Sequence, residues 1–243
     1  MVLKKYFWIF LLFACTRQES LTPSNIANGI EYYPTTIGKY IIYNVKKITY
    51  NYTQKSDTQY YQLKEILADT FIDLENKVAY KLERYIRYER SKEQLNATLD
   101  STWKIDSVWN ARINAKQVIV FESNVPYVKL NLPIQNGKQW NGNQYNTRGV
   151  ENYKVSDIFT ISTTIKAKYE STITIIHKND SSAINRDKRV EIYAKNVGLV
   201  YQQKIVYEDA CKYNFDGAPC VPGDKIANGI HYEQEAILYG IQK

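Results

Sequence analysis

The sequence predicts an all-β domain: an antiparallel meander of about ten strands forming a curled sheet or open barrel, with a β-sandwich as the alternative. Three observations carry that prediction. The 243 residues include 22 Tyr against one Met and seven Phe, and aromatic and β-branched side chains suit a pleated, half-buried surface. Apolar residues recur with period two over long stretches, the signature of a strand with one wet face. Short polar segments such as Asn136-Gly137 separate these stretches, as sequential antiparallel pairing requires. A sheet of this many strands must curl, close or split into two layers. Hydrophobic residues make up 44%, enough for a core, and one domain is the better prior at this length.

The chain opens on a segment of another kind. Lys4 and Lys5 precede the apolar run Tyr6 to Phe13, then Ala14 and Cys15. Eight apolar residues are too few to span a hydrocarbon core of about 30 Å, so residues 1–14 read as a signal peptide. Leu12-Phe13-Ala14-Cys15 resembles the lipobox of bacterial lipoproteins, although Phe13 is bulkier than is usual there. The resemblance implies that Cys15 is lipidated and becomes the first residue of the mature chain. Thr16 stands where an Asp would resemble an inner-membrane retention signal, which points to the outer membrane. Residues 15–33 read as the lipidated terminus and a flexible tether, with a reach on the order of 23 Å r.m.s.. Residues 34–243 are then the β domain.

Along that domain, strands are predicted near 37–45 and 59–67. Leu63, Ile66, Leu67 and Phe71 also fit an amphipathic helix, so 59–75 is ambiguous. Val78, Tyr80, Leu82, Ile86 and Tyr88 alternate, interrupted by Arg84. Leu99, Trp103, Ile105 and Trp109 alternate with Asp100, Thr102, Lys104 and Asp106. That pattern predicts Trp103 and Trp109 on one apolar face, lining a core or a ligand cavity. Strands at 117–122 and 126–132 precede the turns Asn136-Gly137 and Asn141-Gly142. Ile165, Ala167, Tyr169, Ser171, Ile173 and Ile175 share one face of a long strand, which a polar loop at 178–182 ends. Further strands follow at 189–194, 198–207 and 230–239. The pentapeptide at 26–30, Ile-Ala-Asn-Gly-Ile, recurs at 226–230 and reads as two similar turns into strands.

The formal charge is +7, and removal of residues 1–14 takes away Lys4 and Lys5 and no acid, leaving +5. Basic residues are interleaved with acids, so neither nucleic acid nor a polybasic membrane contact is predicted. The predicted membrane attachment is the N-terminal lipid, and a protein, a glycan or an apolar ligand remain as candidate partners.

Cys211 and Cys220 are the other cysteines. In an oxidising compartment they predict a disulfide, worth about 2–3 kcal/mol in the chain-entropy model. Their spacing and the lack of a nearby His argue against a metal site. The two histidines, His177 and His231, each adjoin a strand and read as structural or solvent-facing. No G-x-S-x-G, H-E-x-x-H, P-loop or G-x-G-x-x-G occurs, so no catalytic residue and no cofactor is predicted. Trp140 lies between two turn signals and reads either as a sugar-stacking platform or as a plug folded under the turns.

Tyr32-Tyr-Pro-Thr-Thr-Ile-Gly-Lys-Tyr40-Ile-Ile-Tyr43, the run from Leu132-Pro133 through Trp140-Asn-Gly-Asn-Gln-Tyr145-Asn146, and Tyr193-Ala-Lys-Asn-Val-Gly-Leu-Val-Tyr201 resemble three segments of a group of uncharacterised bacterial outer-membrane lipoproteins. Ile42 departs from that pattern, where a Trp is expected. The resemblance implies the fold and the envelope address and carries over no catalytic residue. The expectation is therefore a non-catalytic binding or structural module of the cell envelope. A glycan-binding or glycan-processing protein and a carrier of lipid or another small apolar ligand are the alternatives.

Overall fold

The computed structural model describes residues 28–51, 54–91, 101–164, 166–182, 185–208 and 226–242. Cys15, Cys211 and Cys220 lie outside the described residues. Twelve strands form one antiparallel sheet: β1 (Lys39–Asn51), β2 (Gln54–Ile72), β3 (Val78–Ser91), β4 (Lys104–Ile113), β5 (Gln117–Glu122), β6 (Val125–Asn131), β7 (Gln139–Asn141), β8 (Asn152–Thr163), β9 (Lys168–Ser181), β10 (Arg186–Ala194), β11 (Gly198–Glu208) and β12 (Asn228–Ile241). Their order is β6-β5-β4-β3-β2-β1-β12-β11-β10-β9-β8-β7. Sequential neighbours pair, and β1 pairs with β12, so the meander rolls into a nearly closed barrel whose seam lies between β6 and β7.

Several hydrogen bonds bridge the seam, among them one from the Asn146 side-chain amide to the Pro126 carbonyl (2.7 Å). The Val128 N–H donates to the Gly142 carbonyl (2.9 Å), and the Val128 carbonyl accepts from Trp140 Nε1 (2.7 Å). An indole thus supplies a bond that a ladder would otherwise make.

Among the described residues, two apolar clusters occupy the interior. One apolar cluster joins Val118, Val128, Leu130, Trp140, Tyr153, Ile173 and Ile175, and a second joins Ile41, Tyr43, Leu63, Tyr169 and Val200. The two ends of the barrel differ. At one end the residues before β1 form a plug. A 3-10 turn, Ile30–Tyr32, buries Tyr32 completely, and the Tyr32 hydroxyl meets Ser171 Oγ at 2.9 Å. Asn196, in the β10–β11 turn, donates its N–H to the Glu31 carbonyl (2.7 Å). Gly29 adopts φ +87°, and a Cβ there would strike Leu132 and Ile134. Residues 29–32 are therefore packed against the barrel. The other end is the mouth, at the β5–β6 turn, the β7–β8 loop and the starts of β8, β10 and β12.

The structure corrects the sequence-based strands in four places. Residues 59–72 continue β2, and the helix reading fails. The i, i+3, i+4 spacing of Leu63, Ile66 and Leu67 arises because both faces bury apolar groups there. Strands β7 and β8 have no counterpart in the sequence pattern. Three register shifts within β8 and a positive φ at Phe159 (55°) destroy its period-two alternation. The long strand expected from Ile165 begins instead at Lys168. A turn precedes it, in which the Thr164 N–H bonds the Ala167 carbonyl (2.8 Å). Finally, β4 runs to Ile113, and Asp106 is skipped in its pairing with β3. That bulge reverses the alternation, so Trp103 and Trp109 do not share a face.

Candidate functional site

Bulges also build the polar centre of the barrel. Lys129 is skipped between the pairs Val118↔Leu130 and Ile119↔Val128, and His177 is skipped between Arg189↔Lys178 and Val190↔Ile176. A bulge re-aims a side chain, and here both side chains converge on Glu191 of β10, which is 2% exposed. Lys129 Nζ lies 2.8 Å from Glu191 Oε1 and 2.7 Å from Glu122 Oε1. The Tyr193 hydroxyl donates to Oε2 (2.6 Å) and Gln202 Nε2 to Oε1 (3.2 Å). His177 Nε2 stands 3.1 Å from Oε2 without hydrogen-bond alignment. The imidazole is held flat against Tyr153, with centroids 3.8 Å apart and planes 6° apart.

Burial opposes the charge on Glu191, but His177 and Lys129 outweigh it and hold the carboxyl well below the usual range. Burial likewise opposes the Lys129 charge, and Glu122 and Glu191 outweigh it, raising that pKa. The lowered carboxyl contributes stability above its unfolded pKa of about 4.3 and loses it as pH falls through the folded value. The raised ammonium contributes below its unfolded pKa of about 10.4 and loses it as pH rises through the folded value. Thermal unfolding followed against pH is expected to show a plateau between roughly pH 5 and 10, with the acid limb reduced in Glu191→Gln. An acid limb of unchanged steepness in the variant would refute this assignment.

Above this network the mouth opens into a cavity of about 730 Å³, within the common range of ligand sites, about 300–1,000 Å³. Six of its side chains are cationic: Lys129, Arg148, Lys154, Lys178, Arg189 and Lys204. Its two carboxylates are already engaged, Glu122 with Lys129 and Glu151 with Arg189 (2.6 Å). Lys178, Arg189 and Lys204 face one another in register across β9, β10 and β11. Like charges directly opposite on neighbouring strands destabilise a sheet. Partial desolvation, then the Arg189 guanidinium, lower the Lys204 pKa. Among the described residues, Arg148, Lys154 and Lys204 make no ion pair with a carboxylate.

The three tryptophans named from sequence are separated. Trp140 is 7% exposed, edge-on to Tyr153 (6.0 Å), with its N–H on the seam. This is the plug position; no ring face is presented to a ligand. Trp109 faces the interior, with the Arg84 guanidinium 3.8 Å from its ring centroid and Arg84 Nε 2.9 Å from Glu65 Oε1. Trp103 packs with Arg87 (4.3 Å) and Lys64 (5.4 Å) on the outer face. None of the three lines the mouth cavity. The residues that do line it carry no sequence signal, because cations far apart in the chain meet only through strand register.

No family model matches the chain, and neither does any curated protein. Two solved structures resemble it. One is a candidate exported protein with a YmcC-like fold from Bacteroides fragilis, with TM-score 0.41 and 10% identity, covering 86% of this chain and 98% of that one. The other is a candidate lipoprotein from Parabacteroides distasonis, with TM-score 0.36, 8% identity and the same coverages.

Proposed function

We propose that the chain is a lipid-anchored protein of the bacterial cell envelope, attached through Cys15 at the outer membrane. Its barrel mouth binds a polar ligand bearing an oxyanion, an acidic glycan being the class that fits best. The signal segment and Leu12-Phe13-Ala14-Cys15 support the address. The observation that carries the binding reading is the in-register row Lys178–Arg189–Lys204 on a cavity whose carboxylates are spent. Arg189 is paired with Asp187 and Glu151, whereas Lys204 beside it has no carboxylate partner among the described residues, and an anionic ligand supplies one. Tyr127 adds aromatic surface to the same wall, while Tyr153 is buried against His177 beneath it. The reading is of a binding module, with the Glu191 network as its floor. An apolar carrier fits less well. Among the described residues the two apolar clusters and the ion network fill the interior, and the large cavity is polar.

Glycan-array binding of the detergent-solubilised mature lipoprotein tests this. Acidic glycans are expected to bind and their neutral counterparts to stay at background, with affinity falling as salt rises. Lys204→Gln combined with Arg148→Gln should weaken binding at least roughly tenfold, about 1.4 kcal/mol, while leaving thermal stability equal or slightly higher. An array that is flat, or equally bright for neutral glycans, rejects the proposal.

A further inference from the structure

We propose that the plugged end of the barrel docks on the surface of a lipid bilayer, which leaves the cationic mouth facing away from the membrane. The inference rests on the anchor at Cys15 proposed above and adds an orientation to it.

Exposed apolar side chains are distributed unequally. Among the described residues, fourteen large hydrophobic side chains are exposed, and ten belong to the strand ends and turns of the plugged end. They include Ile37 before β1, Phe71, Ile72 and Leu74 at the β2–β3 turn, Ile161 near the end of β8, and Ile241 at the end of β12. Ile72 pairs directly with Val78, and Leu74 at the tip is wholly exposed. Eight of the ten lie on or beside the adjacent strands β12, β1, β2 and β3, and Phe159 and Ile161 lie on β8. Single exposed apolar residues need no explanation, but their concentration at one end does. A patch of aliphatic and aromatic tips at a strand end suits a planar partner, and apolar groups seated at the headgroup boundary are a recognised mode of membrane association.

The path of the chain selects the bilayer as that partner. Asn28 enters at the plugged end, where the next residue, Gly29, packs on Leu132 and Ile134. Thirteen residue steps separate Asn28 from Cys15, a reach of at most about 45 Å. A lipid on Cys15 therefore keeps this end next to the membrane, and weak apolar contacts then act at high effective concentration. At the mouth end the exposed large apolar side chains among the described residues include Ile105, Tyr145 and Val150.

Hydrogen exchange on phosphatidylcholine vesicles containing nickel-chelating lipid tests the orientation. The chain used is Cys15→Ser with a hexahistidine in front of it, compared with the acylated protein in the same vesicles. Exchange at 73–77 and 240–242 is expected to slow roughly tenfold on the vesicles, while 142–151 stays unchanged. The pair Ile72→Asp and Leu74→Asp should restore the solution rate. Solution-rate exchange at 73–77 in the tethered wild type overturns the proposal, as does protection that appears only at high surface density, since that reports pairing between copies. Because the hexahistidine replaces the lipid, absence of acylation at Cys15 would show up separately, as a protein that cells leave unmodified.

Discussion

Glu191→Gln is expected to be among the most destabilising single changes in this protein, with a loss of about 3–5 kcal/mol in urea unfolding. The variant keeps the shape of the side chain and removes its charge. Lys129 then retains only Glu122, which is 29% exposed and able to share its charge with water. The interior is left with a buried ammonium whose better partner is gone, and desolvation of that cation is the dominant cost. The Tyr193 hydroxyl donates to Oε2 and the Gln202 amide to Oε1, and a glutamine keeps an acceptor oxygen on only one side, so the loss combines charge with one displaced hydrogen bond. The decisive comparison is Glu191→Leu with Lys129→Met. Removing both charges together replaces a desolvated pair by apolar groups, and buried ion pairs treated this way often cost little or nothing. The double variant should recover at least half of what Glu191→Gln loses. A double variant as unstable as the single would mean that the network acts through packing around His177 and Tyr153.

Little of this network is legible in the sequence. Composition, period-two alternation and turn residues sufficed for the class, the antiparallel meander and most strands, because those features act locally. What failed did so at bulges. Trp103 and Trp109 read as neighbours on one face until the skipped residue Asp106 set them on opposite faces. Strand β8 could not be seen because its register shifts leave no steady alternation. The same irregularity conceals the site. Lys129 sits between Val128 and Leu130, both fully buried, and by alternation it should face the other way. His177 follows Ile175 and Ile176 in a run with no polar punctuation. Neither position carries a motif. A charged residue within a strand buried on both sides is the one signal that could have marked them, since such a residue has to find a partner. The tryptophans drew attention for their ring chemistry, whereas the structure assigns them to packing and to cation contacts.

Trp140→Ala is expected to cost about 3–5 kcal/mol, the range for removing a large buried aromatic side chain. The reason extends beyond the volume lost. Every other junction around the barrel is a strand ladder, whereas β6 meets β7 and the loop after it through the backbone bond from Val128 to Gly142, the indole bond to the Val128 carbonyl and the Asn146 amide bond to the Pro126 carbonyl. Trp140 therefore fills the core and also satisfies a buried carbonyl at the seam. Trp140→Phe separates the two contributions. It keeps most of the apolar ring and leaves the Val128 carbonyl without its donor, a buried unsatisfied group worth about 1–3 kcal/mol. Hydrogen exchange should then rise selectively at Val128 and Gly142, which flank the seam, while β1 and β12 on the far side of the barrel keep their protection. The two variants also set the core position against the sugar-stacking role open to Trp140 from sequence. A ligand platform at the surface would tolerate alanine with little loss of stability and lose binding instead. If Trp140→Ala melts like the wild type, the seam is held by something other than this indole.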